Sequence, residues 1–127
     1  FVKNRNNFLK KNDNLIFEEL NSLNLINLNE KFDLIWIDGA HGYPTVCIDI
    51  INSLNLINKS GYLVCDDVHK YSPSKEDKIY SSIASYETLK ALESENIIKL
   101  KFIYKRLDPL NNSNPKKRKF LAVFSKL

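Results

Sequence analysis

The chain has 127 residues, room for one domain, and its 43% hydrophobic and 27% charged content is ordinary for a globular protein. No run approaches the ~20 apolar residues that cross a bilayer, and no signal-peptide pattern opens the chain, so no membrane partner is expected. The net charge of +4 comes from lysines scattered through the whole chain, and no aromatic residues interleave with a basic stripe, so no nucleic-acid partner is expected either.

The chain opens on Phe1 and holds no methionine, which reads as part of a longer polypeptide. Cys47 and Cys65 form no CxxC pair and sit in apolar runs. They read as buried free thiols of a reducing, cytoplasmic compartment.

Phe1 to Asn12 is polar and weakly amphipathic, like the end of a helix, and Asp13-Asn14 marks a turn. Leu15 to Glu18 reads as a short strand, while Asn21 to Asn29 fits no single period. The signal sharpens at Phe32. Phe-Asp-Leu-Ile-Trp-Ile-Asp, ending at Asp38, is a continuous apolar run of β-forming residues, which predicts a parallel strand covered on both faces, with Trp36 in the core.

Pro44 then suits a first helical position, and Val46, Ile50, Leu54 and Ile57 recur at helical spacing. Lys59-Ser60-Gly61 reads as the helix stop. Tyr62 to Cys65 is a second buried strand, ending in Asp66-Asp67. Residues 32–67 thus form a βαβ unit, right-handed by default.

After a loop with Pro73, a second helix runs from about Ile79 to Glu95, its stripe being Ile79, Ile83, Tyr86, Leu89 and Leu92. Ile98 to Leu107 alternates as a strand. Asp108 to Lys119 is a polar loop whose cluster Lys116–Lys119 reads as solvated, and Phe120 to Phe124 is the last strand. Two strands without an intervening helix predict an antiparallel hairpin at the sheet edge.

Open parallel sheets bind ligands at the carboxyl ends of their strands. Both strands of the βαβ unit end in acid, Asp38 in one case and Asp66-Asp67 in the other. If the strands are neighbours, the carboxylates meet at one edge, where a hard divalent cation would relieve their repulsion. Acids at strand ends also cap helices or bond loop amides. His41 and His69 stand beside these acids and titrate near neutrality, so either could take a proton from a substrate hydroxyl, or be an exposed loop residue.

Residues 32–43, Phe-Asp-Leu-Ile-Trp-Ile-Asp-Gly-Ala-His-Gly-Tyr, resemble the fourth-strand motif of class I S-adenosylmethionine-dependent methyltransferases, in the branch that writes it FDLIFIDGDHSY. Leu56 to Val68 resembles that family's fifth-strand motif, L-x-P-G-G-x-hydrophobic-x-D-D, at fitting spacing. The resemblance implies a Rossmann-like α/β fold with sheet order 3-2-1-4-5-7-6, of which residues 1–127 would be the C-terminal portion, strands three to seven.

It also implies S-adenosylmethionine as cofactor and a hydroxyl of a small molecule or sugar as methyl acceptor. In the metal-dependent branch the acids corresponding to Asp38, Asp66 and Asp67 bind a divalent cation such as Mg²⁺. The general base falls on His41, where catechol-type relatives have lysine. Asn21 and Ser22 fall near the adenine, and Asp38 borders the cofactor.

One departure is large. The family's glycine-rich cofactor loop is missing, since glycine occurs only at 39, 42 and 61. The 127 residues alone are therefore expected neither to fold stably nor to bind cofactor. Two other readings stay open: a Mg²⁺-dependent nucleotide-using transferase, and a non-catalytic, partner-dependent module that keeps the fold.

Overall fold

A computed structural model describes residues 2–71, 82–105 and 119–127. Eight elements follow one another: α1 (Val2–Lys10), a 3₁₀ helix (Ser22–Asn27), β1 (Phe32–Ile37), α2 (Thr45–Leu56), β2 (Ile57–His69), α3 (Ala84–Ser94), β3 (Ile98–Tyr104) and β4 (Lys119–Lys126). The expected positions of Pro73, Ile79, Leu107 and the loop residues 108–118 lie outside the described residues.

The four strands form one sheet in the order β1-β2-β4-β3. β1 and β2 are parallel, and β4 is antiparallel to both β2 and β3. This is the 4-5-7-6 half of the order expected, with α2 as crossover and the β3–β4 hairpin at one edge.

Alternation along the strands sorts side chains onto two faces. Ile37, Leu63, Cys65, Ile98, Ala122 and Phe124 point to one face and are buried with Val46, Ile50 and Leu54 of α2 and Ala84 and Leu89 of α3. Burying a side chain such as Leu63, Ile50 or Phe124 contributes about 1.5–3 kcal/mol each, so this single layer holds the chain together. Tyr86, Leu92, Phe102 and Phe120 pack around it.

The opposite face departs from expectation. Leu34 is 62% exposed, Trp36 54% and Tyr62 57%, so Trp36 is not a core residue. The apolar run of β1 is built to be covered twice, but the described helices α2 and α3 cover only the face that carries Ile37 and Leu63. β1 also has one strand neighbour, β2, among the described residues. Leu15 to Glu18, expected as a strand, forms neither strand nor helix, because a strand exists only through a partner and none among the described residues pairs with it.

Gly61 is not a helix stop either. α2 ends at Leu56, and the C-cap Ile57 donates its N–H to the Ser53 carbonyl. Gly61 lies inside β2, where the β1–β2 register jumps: Phe32 faces Ile57, but Leu34 faces Tyr62. A Cβ there would come within 2.8 Å of Ile57 Cγ1 and 2.9 Å of the Asp33 carbonyl oxygen. Glycine is required by this close backbone approach.

Gly61→Ala is expected to destabilise the protein by about 1–3 kcal/mol, the usual cost of overpacking. Urea unfolding measures it, and a loss within error of zero would contradict the packing described. Expressed alone, the 127 residues are expected to self-associate through the exposed Leu34/Trp36 face and the free β1 edge. A monomer with a cooperative thermal transition on size exclusion and calorimetry would contradict that.

Candidate active site at the strand ends

The parallel register sets Ile37 opposite Cys65. The next residues, Asp38 and Asp66, therefore stand side by side where β1 ends; contrary to the expectation from sequence, β2 does not end there but runs on to His69. Asp38 is exposed, and its Oδ1 lies 3.7 Å from His41 Nε2, on the loop that leads into α2. That distance is too long for a hydrogen bond, but it is close enough for the carboxylate to attract a protonated imidazole. Gly42 beside it borders open space, since an added Cβ would meet nothing within 4 Å.

Asp66 and Asp67 occupy a β-bulge. Cys65 pairs with Ala122 and Val68 with Phe120, so three steps on β2 match two on β4. Bulges re-aim side chains, and this one turns both acids toward the β3–β4 hairpin. Asp67 takes the left-handed conformation, φ 50°, and its N–H donates to Asp66 Oδ1 at 2.6 Å. Aspartate is among the few non-glycine residues that accept this conformation readily.

Lys105 Nζ donates to Asp66 Oδ1 at 2.6 Å and to Asp67 Oδ1 at 3.0 Å. Lys119 Nζ donates to Asp67 Oδ2 at 2.7 Å. Burial by itself would raise the Asp67 carboxyl. The hydrogen bonds and charge of Lys119 and Lys105 outweigh it and bring the group down to about 2. Burial likewise opposes the charge of Lys105, and the two carboxylates overcome it and raise its ammonium. Lys119, expected in a solvated basic cluster, is instead the first residue of β4 and an ion-pair partner.

A divalent cation does not fit these acids as they stand. Among the described residues no group of three His, Cys, Asp or Glu side chains is placed to hold a metal. Of the three expected ligands, Asp66 already binds a lysine through Oδ1, and Asp67 binds lysines through both oxygens. His69 is buried on β2, and its partner register position is Lys119.

Asn21 caps the 3₁₀ helix, its side chain accepting from Leu23 N–H at 3.0 Å. The Ser22 carbonyl accepts from Asn52 Nδ2 at 2.9 Å, which ties that helix to α2. Both residues thus have local structural work, at a distance in sequence from the acids.

Three residues escaped sequence reasoning. Lys105 and Lys119 are the first two, and only the hairpin geometry brings them to the bulge. The third is Asp49, buried on α2 among Val46, Ile50 and Ser53. Its Oδ1 has no hydrogen-bond partner among the described residues, and its Oδ2 would lie 3.3 Å from a Cβ on Gly39. An acid on the apolar stripe of a helix was the available signal. Asp49 stands behind the Asp38–His41 loop. Burial pushes the neighbouring Cys65 thiol up to about 12; the adjacent Ser85 opposes this, and Asp66, Asp38 and Asp49 add to it.

A methyltransferase-domain family profile matches residues 2–68, more than half of the chain. Among solved structures, a provisionally assigned O-methyltransferase from Klebsiella pneumoniae superposes with TM-score 0.69 at 12% identity, covering 98% of this chain and 56% of that one. A provisionally assigned caffeoyl-CoA O-methyltransferase from Staphylococcus aureus gives 0.65 at 16% identity, covering 99% and 59%. An O-methyltransferase from Bacillus cereus in complex with SAH gives 0.52 at 12% identity, covering 97% and 47%. Among curated proteins no relative matches the sequence.

The chain spans about half the length of these structural neighbours, and the likeness to them shows the fold: one half of the Rossmann-like sheet of class I methyltransferases. With the family match, the chain belongs to the methyltransferase-domain family. No helix among the described residues is long and apolar enough to cross a membrane.

The ion pairs give a pH dependence. The folded pKa of Asp67 lies below its ordinary 3.8, so its pairing stabilises the fold above pH 3.8 and that contribution is lost as pH falls toward about 2. Lys105 is raised, so its contribution is complete below 10.5 and is lost as pH rises beyond that value. Unfolding free energy measured against pH is expected to drop in the acid window in the wild type, and much less in Asp67→Asn. Equal acid sensitivity in both would contradict the pairing.

Proposed function

We propose that this chain forms the acceptor-side half of an S-adenosylmethionine-dependent methyltransferase that methylates a hydroxyl of a small molecule or sugar. The observation that carries this reading is the open strand-end edge where His41 Nε2 stands 3.7 Å from Asp38 Oδ1, on the loop following a strand of the family's sheet. The family match supports methyl transfer, and the SAH complex of the Bacillus cereus neighbour supports the choice of cofactor.

The donor set suits that cofactor. Asp38 is an exposed carboxylate, and the buried Asp49 Oδ1 behind it lacks a hydrogen-bond partner among the described residues. Negative charge at the edge favours a ligand that carries ammonium and sulfonium groups. When bound, S-adenosylmethionine supplies an electrophilic methyl group and departs as a neutral thioether.

The chain's own residues prepare the acceptor. His41 accepts the hydroxyl proton as the oxygen becomes a nucleophile. Asp38 stabilises the imidazolium that results and holds the ring toward the edge. Gly39 and Gly42 keep the loop low, so that acceptor and edge can approach closely.

General-base help of this kind is worth about 10²–10⁴-fold in rate. With the intact protein, His41→Asn is expected to lower kcat within that range while cofactor affinity stays unchanged. Methyl transfer at the wild-type rate would remove His41 from the mechanism.

A further inference from the structure

We propose that Lys105 and Lys119 take the place of a divalent cation at the Asp66-Asp67 acid pair, so that this member of the family keeps the two acids without a metal. The last clause rests on the family reading; the lysine lock itself does not.

The hairpin places both lysines together. Lys105 directly follows β3, Lys119 opens β4, and the Lys105 N–H donates to the Lys119 carbonyl at 3.0 Å. They are thus cross-strand neighbours at the end of the hairpin where β3 finishes and β4 begins, and β4 is itself paired to β2 beside the bulge, with Val68 facing Phe120 and His69 facing Lys119. The backbone therefore delivers both ammonium groups to the same point at the end of β2.

The contacts there are complete for the charges involved. Asp66, only 8% exposed, receives Lys105 at 2.6 Å and the Asp67 N–H at 2.6 Å on the same Oδ1. Asp67 receives Lys105 at 3.0 Å on Oδ1 and Lys119 at 2.7 Å on Oδ2. Two carboxylates meet two ammonium groups, and the sum is zero. A divalent ion at the same oxygens would have to displace Lys105 from both acids, and with Lys119 still in place it would leave one positive charge in excess at a largely buried site. Lysine can also do what a fixed metal cannot, because its ammonium donates directional hydrogen bonds and swings on a long stem.

The bulge has a matching purpose. A regular strand would send Asp66 and Asp67 to opposite faces of the sheet. The extra residue, with Asp67 at φ 50°, lets Lys105 reach both at once. The quartet thereby ties the end of β2 to the mouth of the hairpin, next to the strand-end edge that carries Asp38 and His41.

The test is calorimetric titration of the intact protein with Mn²⁺, a probe for Mg²⁺-type oxygen sites. Wild type is expected to show no stoichiometric uptake at millimolar Mn²⁺. Lys105→Met/Lys119→Met is expected to bind about one ion per chain, and adding Asp66→Asn is expected to abolish that binding again. Two results would overturn the proposal: uptake by the wild type that Asp66→Asn removes, or a folded double variant that takes up nothing. If the double variant does not fold, Lys105→Met alone decides the same way, because it frees Oδ1 of both Asp66 and Asp67. The titration reads binding and not turnover, so loss of the methyltransferase reading would leave its outcome intact. Activity unmoved by a chelator would extend the proposal to the reaction.

Discussion

Parallel pairing of β1 with β2, in the register that sets Ile37 opposite Cys65, is the constraint on which the rest of the structure depends. It fixes α2 as a crossover on one face and delivers Asp38 and Asp66 to one edge. A shift of one residue would send the buried set Ile37, Leu63 and Cys65 to the exposed face. That would expose the core, so the core and the strand-end acids are specified by the same hydrogen-bond ladder. Chemistry at this edge is a consequence of burial at the other end of the same side-chain alternation.

Beyond the ladder, electrostatics finishes the edge. The bulge at Asp66-Asp67 concentrates negative charge where β2 leaves the core, and the hairpin answers with Lys105 and Lys119. Buried pairs of this sort add little net stability compared with apolar packing, but breaking one partner leaves a charge stranded. Their effect is therefore on geometry, holding the hairpin mouth against the strand ends. Asp38, on the other side of the edge, is exposed among the described residues.

Much of this could be read from the residues. The run Phe32–Asp38 and the segment Tyr62–Cys65, with α2 between them, were legible as a βαβ unit, because continuous apolarity and helical spacing are local signals. The hairpin was legible from the lack of a helix between two alternating segments. Gly61 was misread as a helix stop because its reason is a tertiary contact with Ile57 and the Asp33 carbonyl, invisible in local sequence. Trp36 was misread as core because an apolar run reports what a strand is suited to, whereas exposure depends on what covers it. Lys119 sat in a basic cluster that looked like solvated loop, and only the antiparallel register of β4 against β2 brings it to Asp67. The Leu15–Glu18 segment shows the same limit, since strand propensity makes no strand without a partner.

The most direct measurement is calorimetric binding of S-adenosylmethionine to the intact protein, compared with Asp38→Ala. Saturable one-to-one binding in the wild type, weakened at least tenfold, or about 1.4 kcal/mol, by the variant, is the expected result. Absence of binding, or equal affinity in both proteins, would contradict the assignment of the β1 end as the cofactor edge.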